Sequence, residues 1–372
     1  MKIAAIIPAS ENSASMGGFK PLLPLGDGTV LSTCIKLFRY NCIKQVIVVT
    51  GHRADEVAVE ARRAGATPVF NKDYRQGMLT SMVSGVRALD VGVDAFFFLP
   101  IDMPTIRNHT VTRLVSAYRS GKPAVLYPQF NGQRGYPPLI GAGMIPMLTA
   151  HDGQGGLGRV LDSVEDHAAE LDVADCGTVF ELNQFPDYEQ AVSRMLSEGP
   201  LDDECQQLWG IYDTPSNNIA HCQAVANVAE ALGERLHVRS GAWLDMGLVR
   251  GAALTHDIGQ GCRQHEVVGA QRLREHGFHP AARIALEHFD QRLEVEDAVS
   301  ENTLVFLADK LVCGSHPAPL MQRYEKKLEL HGHKPRAKKA ILSRMDRAKN
   351  ILARVDREIG QSAEMLAQEV LG

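Results

Sequence analysis

The chain has 372 residues, and at about 150 residues per domain it is expected to hold two or three domains. Its 45% hydrophobic, 22% charged and 6% aromatic content is that of an ordinary globular protein and excludes disordered and membrane-embedded classes. Thirty-nine Lys and Arg against 44 Asp and Glu give a formal net charge of -5, so no global basic field speaks for nucleic acid, and any phosphate must be met locally.

Short apolar runs alternate with amphipathic stretches through the first half. The runs cover 2–8, 45–50, 67–70, 94–100 and 123–128, and the amphipathic stretches lie near 29–40, 53–64, 79–89 and 106–119. Strands apolar on both faces and separated by helices require a sheet covered on both sides, which predicts a doubly wound, Rossmann-like parallel α/β domain. The first run is apolar for only a few residues and has no small-residue cleavage site behind it, so it reads as a strand rather than a signal peptide. No window approaches the ~20 apolar residues of a membrane helix. Seven cysteines (Cys34, Cys42, Cys176, Cys205, Cys222, Cys262 and Cys313) contain no C-x-x-C pair, which suits a reducing cytoplasm better than a disulfide framework.

The strand signal fades at residues 197–204, where turn formers meet an acidic run, and a boundary there gives domains 1–198 and 199–372. Beyond it apolar residues recur at helical spacing, as in Val225, Val228, Ala229 and Leu232, or Leu304, Leu307, Ala308 and Leu311. Residues 335–369 read as one long charged helix with a solvated basic face. Histidine is unevenly shared: His52, His109, His151 and His167 precede residue 200, and the other ten of the 14 follow it. Two chemistries in one chain are expected.

In an open parallel sheet, ligands bind beyond the carboxyl ends of the strands. The loop from Pro8 to Gly26 carries Gly17-Gly18 and then Lys20, a backbone that can approach phosphates and a point charge to meet them. Asp102 follows the 94–100 run, placed either to hold Mg²⁺ or to cap a helix beginning near Thr105. Gly77 opens a helix that includes Ser81, where free amides can receive a base or a phosphate. Arg134 and Arg159 are further candidates for nucleotide or cofactor contact.

These residues carry a resemblance. The S-M-G-G-F-K-P-L-L-P-L loop, G-M-L-T-S-M-V-S-G, L-P-I-D-M-P, R-G-Y-P-P-L-I at 134–140 and E-L-N-Q-F-P-D-Y at 181–188 resemble, in order over residues 1–196, the molybdopterin cytidylyl- and guanylyltransferases. The resemblance implies nucleotide contacts at Ala9, Ser10, Gly17, Gly18, Lys20, Gly77, Ser81 and Asp102, a catalytic Lys20 and Asp102, and Mg²⁺ on Asp102 and Asn183. It also implies a pterin-type substrate and a molybdenum hydroxylase apoenzyme as partner. The F-K-P-L-L-P-L and R-G-Y-P wording is closer to the cytidylyl branch, which favours CTP over GTP. Ser10 stands where the family has Gly, and Ser15 where it has a phosphate-clamping Arg.

In the second half, His256-Asp257 offers an imidazole and a carboxylate to one cation after an apolar helical stretch. His221 opens an amphipathic helix, and Asp309 interrupts the apolar face Leu307-Ala308-Asp309-Lys310-Leu311, where an unpartnered carboxylate would be costly to bury. The order H…HD…D resembles the HD superfamily of metal-dependent phosphohydrolases over about residues 205–330. His265 and His288 resemble the extra histidines of two-metal branches, including symmetrical diadenosine tetraphosphatases. The resemblance implies His221, His256, Asp257 and Asp309 as primary ligands, His265 and His288 for a second metal, and a catalytic Asp257. One or two ions such as Fe, Mn, Zn or Ni suit this donor set. Gln260 stands where many members carry Lys.

The sequence thus predicts an α/β nucleotidyltransferase-like domain fused to an all-helical HD domain in a cytoplasmic protein, moving CMP from CTP to a molybdopterin-type cofactor and hydrolysing a phosphoester at a second site. An alternative keeps only the HD half as an enzyme, with the first half a degenerate binding module.

Overall fold

The computed structural model describes residues 1–10, 18–151, 154, 156–294 and 297–372. The chain divides into two compact units, Met1–Met195 and Leu196–Gly372. The sequence boundary after residue 198 falls just beyond this division.

In the first unit β1 (Ile3–Ala9) is an interior strand of the sheet, and a hairpin of β2 (Pro24–Leu25) and β3 (Gly28–Thr29) precedes α1 (Val30–Tyr40). There follow β4 (Gln45–Thr50), α2 (Ala54–Arg63), β5 (Thr67–Phe70), α3 (Met78–Arg87), β6 (Ala95–Phe98) and α4 (Asn108–Gly121). The unit finishes with β7 (Val125–Phe130), β8 (Gln133–Arg134), β9 (Leu139–Gly141), α5 (Ile145–Ala150), α6 (Gly156–Asp162), β10 (Ala168–Asp172) and α7 (Phe185–Met195).

The sheet order is β10-β7-β9-β6-β1-β4-β5. It is mixed: β1 pairs in parallel with β4 and β6, β4 with β5 and β10 with β7, as a doubly wound sheet requires, and one inserted strand runs the other way. β9 runs antiparallel to both β6 and β7, pairing Phe96 with Ile140 and Leu126 with Leu139. Only three residues long and preceded by Pro137 and Pro138, this strand gave no recognisable run of its own. The alternation of a strand explains the two cores. Ala5, Ile7 and Phe97 point to one face, and Ala4, Ile6, Phe96 and Phe98 to the other, all fully buried. On the second face α3 packs closely: a Cβ at Gly85 would come within 2.4 Å of Ile6 Cγ2.

The helix after β6 begins at Asn108, and the side chain of Asp175 holds its start. The buried Asp175 accepts from the Arg107 N–H (2.9 Å), the Thr110 hydroxyl (2.6 Å) and the Gly177 N–H (3.0 Å). It thereby ties the segment after β10 to the first turn of α4.

The second unit holds α8 (Asp202–Ile211), α9 (Ser216–Ser240), α10 (Met246–Thr255), α11 (His265–Glu275), α12 (His279–Glu287) and α13 (Glu301–Leu311). A hairpin of β11 (Val312–Cys313) and β12 (His316–Pro317) leads to α14 (Leu320–His331), α15 (Pro335–Ile359) and α16 (Ala363–Leu371). Val225, Val228, Ala229 and Leu232 of α9 and Leu304, Leu307, Ala308 and Leu311 of α13 are buried, as their spacing requires. The single helix expected over 335–369 is two. Gly360 takes a left-handed φ of 73°, and the Ser362 side chain then caps α16 by accepting from the Met365 N–H. Among the described residues no helix is long and apolar enough to cross a membrane.

Replacing Asp175 by Ala leaves two backbone amides and a hydroxyl without their acceptor, and is expected to cost about 3 kcal/mol. A urea unfolding curve of the full chain, followed by circular dichroism, measures it.

Candidate functional site

Two groups of side chains gather, one in each unit. In the first, β1 delivers buried Ala9 and Ser10 to the carboxyl edge of the sheet. Gly77, at φ 104°, opens α3 and turns the buried Ser81 toward that edge, where its hydroxyl lies 3.0 Å from Ser10 Oγ. Asn71 donates its amide to both Thr80 Oγ1 (2.9 Å) and Ser81 Oγ (3.1 Å). Ser10, where the family pattern has Gly, is accommodated: its hydroxyl has a partner, and its Cβ fits because position 51 is Gly. Ser10, Gly77, Ser81 and Asp102 line one small pocket with Tyr74 and Met78.

Lys20 is buried, and its Nζ stands 4.0 Å from Asp102 Oδ2. The Asp102 carbonyl accepts from the Leu182 N–H (2.7 Å), which seats the segment Glu181–Asn183 beside it. Asn183 donates its side-chain amide to Glu181 Oε2 (2.9 Å), and its backbone N–H to Asp187 Oδ2 (2.9 Å). Thus Lys20, Asp102 and the Asn183 segment, which come from widely separated positions, meet at one edge. Gly18 is half-buried just before Lys20, and Gly17 lies outside the described residues, as does Ser15. Burial raises the Tyr136 phenol, and the Asp102 and Glu181 carboxylates push it further. Arg134 is committed to Glu165 (2.5 Å) and Glu170 (2.6 Å) and covers the Tyr127 ring, so its charge is already met.

In the second unit, six predicted residues converge. Asp257 is central: its Oδ1 lies 3.4 Å from His288 Nε2 and 3.6 Å from His265 Nε2, and its Oδ2 lies 3.8 Å from His256 Nε2. His221 Nε2 and His256 Nε2 face Asp309 Oδ1 at 3.3 and 3.9 Å. Two donor groups result, His221 with His256 and Asp257, and Asp257 with His265 and His288, each with its atoms within 4.8 Å of one another.

The outer contacts fix the imidazoles. Nδ1 of His221, His256 and His288 meets the carbonyls of Gly314 (2.9 Å), Ala253 (2.7 Å) and Ala285 (2.6 Å). With a proton on Nδ1 pointing outward, each Nε2 presents its lone pair inward, as a metal-binding imidazole requires. Burial holds the His256 imidazole down to about 4, so it is neutral near pH 7. Burial opposes ionisation of Asp257, but the facing His288 and His256 imidazoles in their charged forms, at the acid pH where this carboxyl would take up a proton, outweigh it, and the carboxyl sits well below its usual range. His256 Nε2 and Asp257 Oδ1 are buried with no hydrogen-bond partner. Unsatisfied buried donor atoms facing one another are explained by a cation between them, so the residues fit a divalent metal.

Asp309 needs a correction. A metal is not required to justify its burial, because Lys310 Nζ meets Oδ2 (2.5 Å) and Arg323 Nη2 meets Oδ1 (3.1 Å). These cations hold the carboxyl well below its usual range against the penalty of burial. Lys310 had a sequence signal, being a second charge on an apolar face; Arg323 had none, since it arrives from another helix. Asn218 was also missed: its amide donates to the Asp257 carbonyl (3.0 Å). Gly259 lets α11 close over the His-Asp turn, because a Cβ there would stand 2.1 Å from the His265 carbonyl oxygen.

Together these groups define a two-domain protein, a nucleotidyltransferase-class α/β unit followed by an HD-class helical unit. A MobA-like NTP transferase domain matches residues 5–169, and an HD domain matches residues 218–312. The molybdenum cofactor cytidylyltransferase of Escherichia coli strain K12 is 35% identical over 139 residues, which is 37% of this chain and 69% of that protein. The chain belongs to the MobA-like NTP transferase family, with an HD domain in the same polypeptide. Among solved structures, Rv0371c of Mycobacterium tuberculosis H37Rv is similar at 20% identity and a TM-score of 0.46, covering 52% of this chain and 97% of its own. A nucleotidyl transferase from Methanothermobacter thermautotroptrophicus is similar at 23% identity and a TM-score of 0.45, covering 52% and 98%.

Asp257 belongs to both donor groups and His265 to one. Replacing Asp257 by Ala is expected to remove most bound transition metal, whereas His265→Ala removes about half, since each of the two groups keeps or loses its own ligand. Elemental analysis after anaerobic purification measures both.

Proposed function

We propose that the first unit transfers CMP from CTP to a molybdopterin-type phosphate, and that the HD unit hydrolyses a phosphoester. The observation that carries the first part is Lys20 Nζ 4.0 Å from Asp102 Oδ2 at the carboxyl edge of a sheet in a domain with a cytidylyltransferase relative. An acceptor phosphate oxygen attacks the α-phosphorus of CTP, the bond to the bridging oxygen breaks, and pyrophosphate leaves. Lys20 holds phosphate charge, and the amides opening α3 at Gly77 orient the nucleotide. Asp102 and Asn183 are the residues that would hold Mg²⁺, which when bound neutralises phosphate oxygens.

In the HD unit, His221, His256, Asp257, His265, His288 and Asp309 would hold one or two divalent ions, which when bound supply an activated water and charge for phosphoryl oxygens. Asn218 and the three backbone carbonyls hold these donors in their orientation. The second reading, in which the first unit only binds a nucleotide, turns on whether the Ser10–Ser81 hydroxyl pair and Ser15 leave the site competent.

With CTP, molybdopterin and Mg²⁺, the purified chain is expected to release pyrophosphate. Asp102→Ala should lower that rate by at least roughly a hundredfold. Asp257→Ala should leave it unchanged. Wild-type release no faster than that of Asp102→Ala would leave the binding-module reading.

A further inference from the structure

Where the chain returns through Tyr136 and Pro138 into the antiparallel strand β9, a cavity of about 160 Å³ lies between the sheet and the helices α3 and α6. Three aromatic rings line it, Phe98 of β6, Tyr127 of β7 and Tyr136, together with Met82 of α3 and Leu157 and Leu161 of α6. Met82 and Phe98 are fully buried, and both tyrosines are half-buried. Among the described residues, none of the nucleotide contacts implied by the family resemblance lines this cavity.

The cavity adjoins the pocket that holds Ser10, Ser81 and Asp102. Met78 lines that pocket, and Met82, one helical turn further on, lines the cavity. Pro100 lines the pocket, and Phe98, two residues before it, lines the cavity. One helical turn is about 5.4 Å and two extended residues span about 7 Å, so the two spaces are neighbours along the same stretch of α3 and of the β6 segment. Tyr136 links them, since it lines the cavity while the Asp102 carboxylate is near enough to add to the effect of burial on its phenol.

The lining selects for one kind of ligand. Arg134 also borders the cavity, but Glu165 and Glu170 already neutralise its guanidinium, which covers the Tyr127 ring at 4.8 Å. An anion therefore finds no uncommitted cation among these residues. The two phenols are the other polar side chains of the lining, and neither hydroxyl has a hydrogen-bond partner among the described residues. Burial pushes the Tyr127 phenol up to about 12, so it keeps its proton at neutral pH. Tyrosine hydroxyls drawn into an apolar setting ordinarily find a partner. A sugar would leave most of its hydroxyls against apolar walls. A flat, uncharged conjugated ring with polar edges stacks on the aromatic walls, needs no counter-ion and supplies the partners that the phenols lack.

We propose that this cavity binds the acceptor's ring, a flat heteroaromatic system with Tyr127 and Tyr136 at its edge, and that the acceptor's phosphate leaves the cavity toward Asp102. This rests on the first unit transferring a nucleotidyl group, a reading that names an acceptor and assigns it no residues.

The test titrates the full chain by calorimetry with 6-hydroxymethylpterin, with CTP and Mg²⁺, and with glucose 1-phosphate, comparing wild type, Leu157→Trp and Tyr127→Phe. The Trp variant fills the cavity and is expected to bind the pterin at least about tenfold more weakly, with CTP changed less than about threefold. Tyr127→Phe keeps the ring and loses the hydroxyl, and should weaken the pterin by about threefold to tenfold. Its melting temperature should hold, so it decides the matter alone if the Trp variant is destabilised. Absence of pterin binding by the wild type, or unchanged binding in both variants, would overturn the proposal. So would equal losses of pterin and CTP, which would mark the cavity as the nucleobase site. Glucose 1-phosphate bound more tightly than the pterin, and lost in Leu157→Trp, would overturn the choice of ligand. Should the wild type release no pyrophosphate while pterin binding still depends on Leu157 and Tyr127, the ring site stands and the transferase reading fails.

Discussion

The Asp257 carboxylate is the point on which the helical unit turns. A buried carboxylate is costly unless other groups favour its charge, and here three imidazoles from three separate parts of the chain face it. His256 is its neighbour, His265 is the first residue of α11, and His288 directly follows α12, so α10, α11 and α12 must all pack correctly for the charge to be tolerated. The backbone is subordinated to the same end: Asn218 of α9 holds the Asp257 carbonyl, and Gly259 admits α11 against the turn. Three of the four clustered imidazoles have their outer nitrogen occupied by a carbonyl oxygen, which leaves the inner nitrogen to do chemistry.

The first unit solves a related problem with fewer charges. Lys20 is buried near Asp102, and a single backbone hydrogen bond from Leu182 brings the last motif of the domain to the strand end where Asp102 emerges. The hydroxyls of Ser10 and Ser81 and the Asn71 amide satisfy one another, so the floor of the pocket is polar without being charged. A phosphate chain meeting this edge finds one cation and the opening turn of α3, a local answer that suits a chain of acidic net charge.

Asp309 shows how a charge is kept inside this protein. Asp309 has Lys310, Arg323 and His221 around it and is balanced by its own fold.

Local pattern was enough for much of this. The alternation of Ala4 to Ile7, the three consecutive phenylalanines, and the helical spacing of Val225 to Leu232 each dictate an element and the face it buries, because burial follows side-chain period. The His-Asp pair and the Asp102 loop were legible as candidates for chemistry, although Asp102 read equally well as a helix cap. Other features were decided in three dimensions. The antiparallel β9 is too short to show a period, Asp175 caps a helix that lies far back along the sequence, and Arg323 neutralises Asp309 from another helix. By itself the sequence determined which residues are apolar, which can ligate and where the chain changes class. Only the tertiary structure decided which charges are compensated, since compensation depends on distance through space, and spacing along the chain does not carry it.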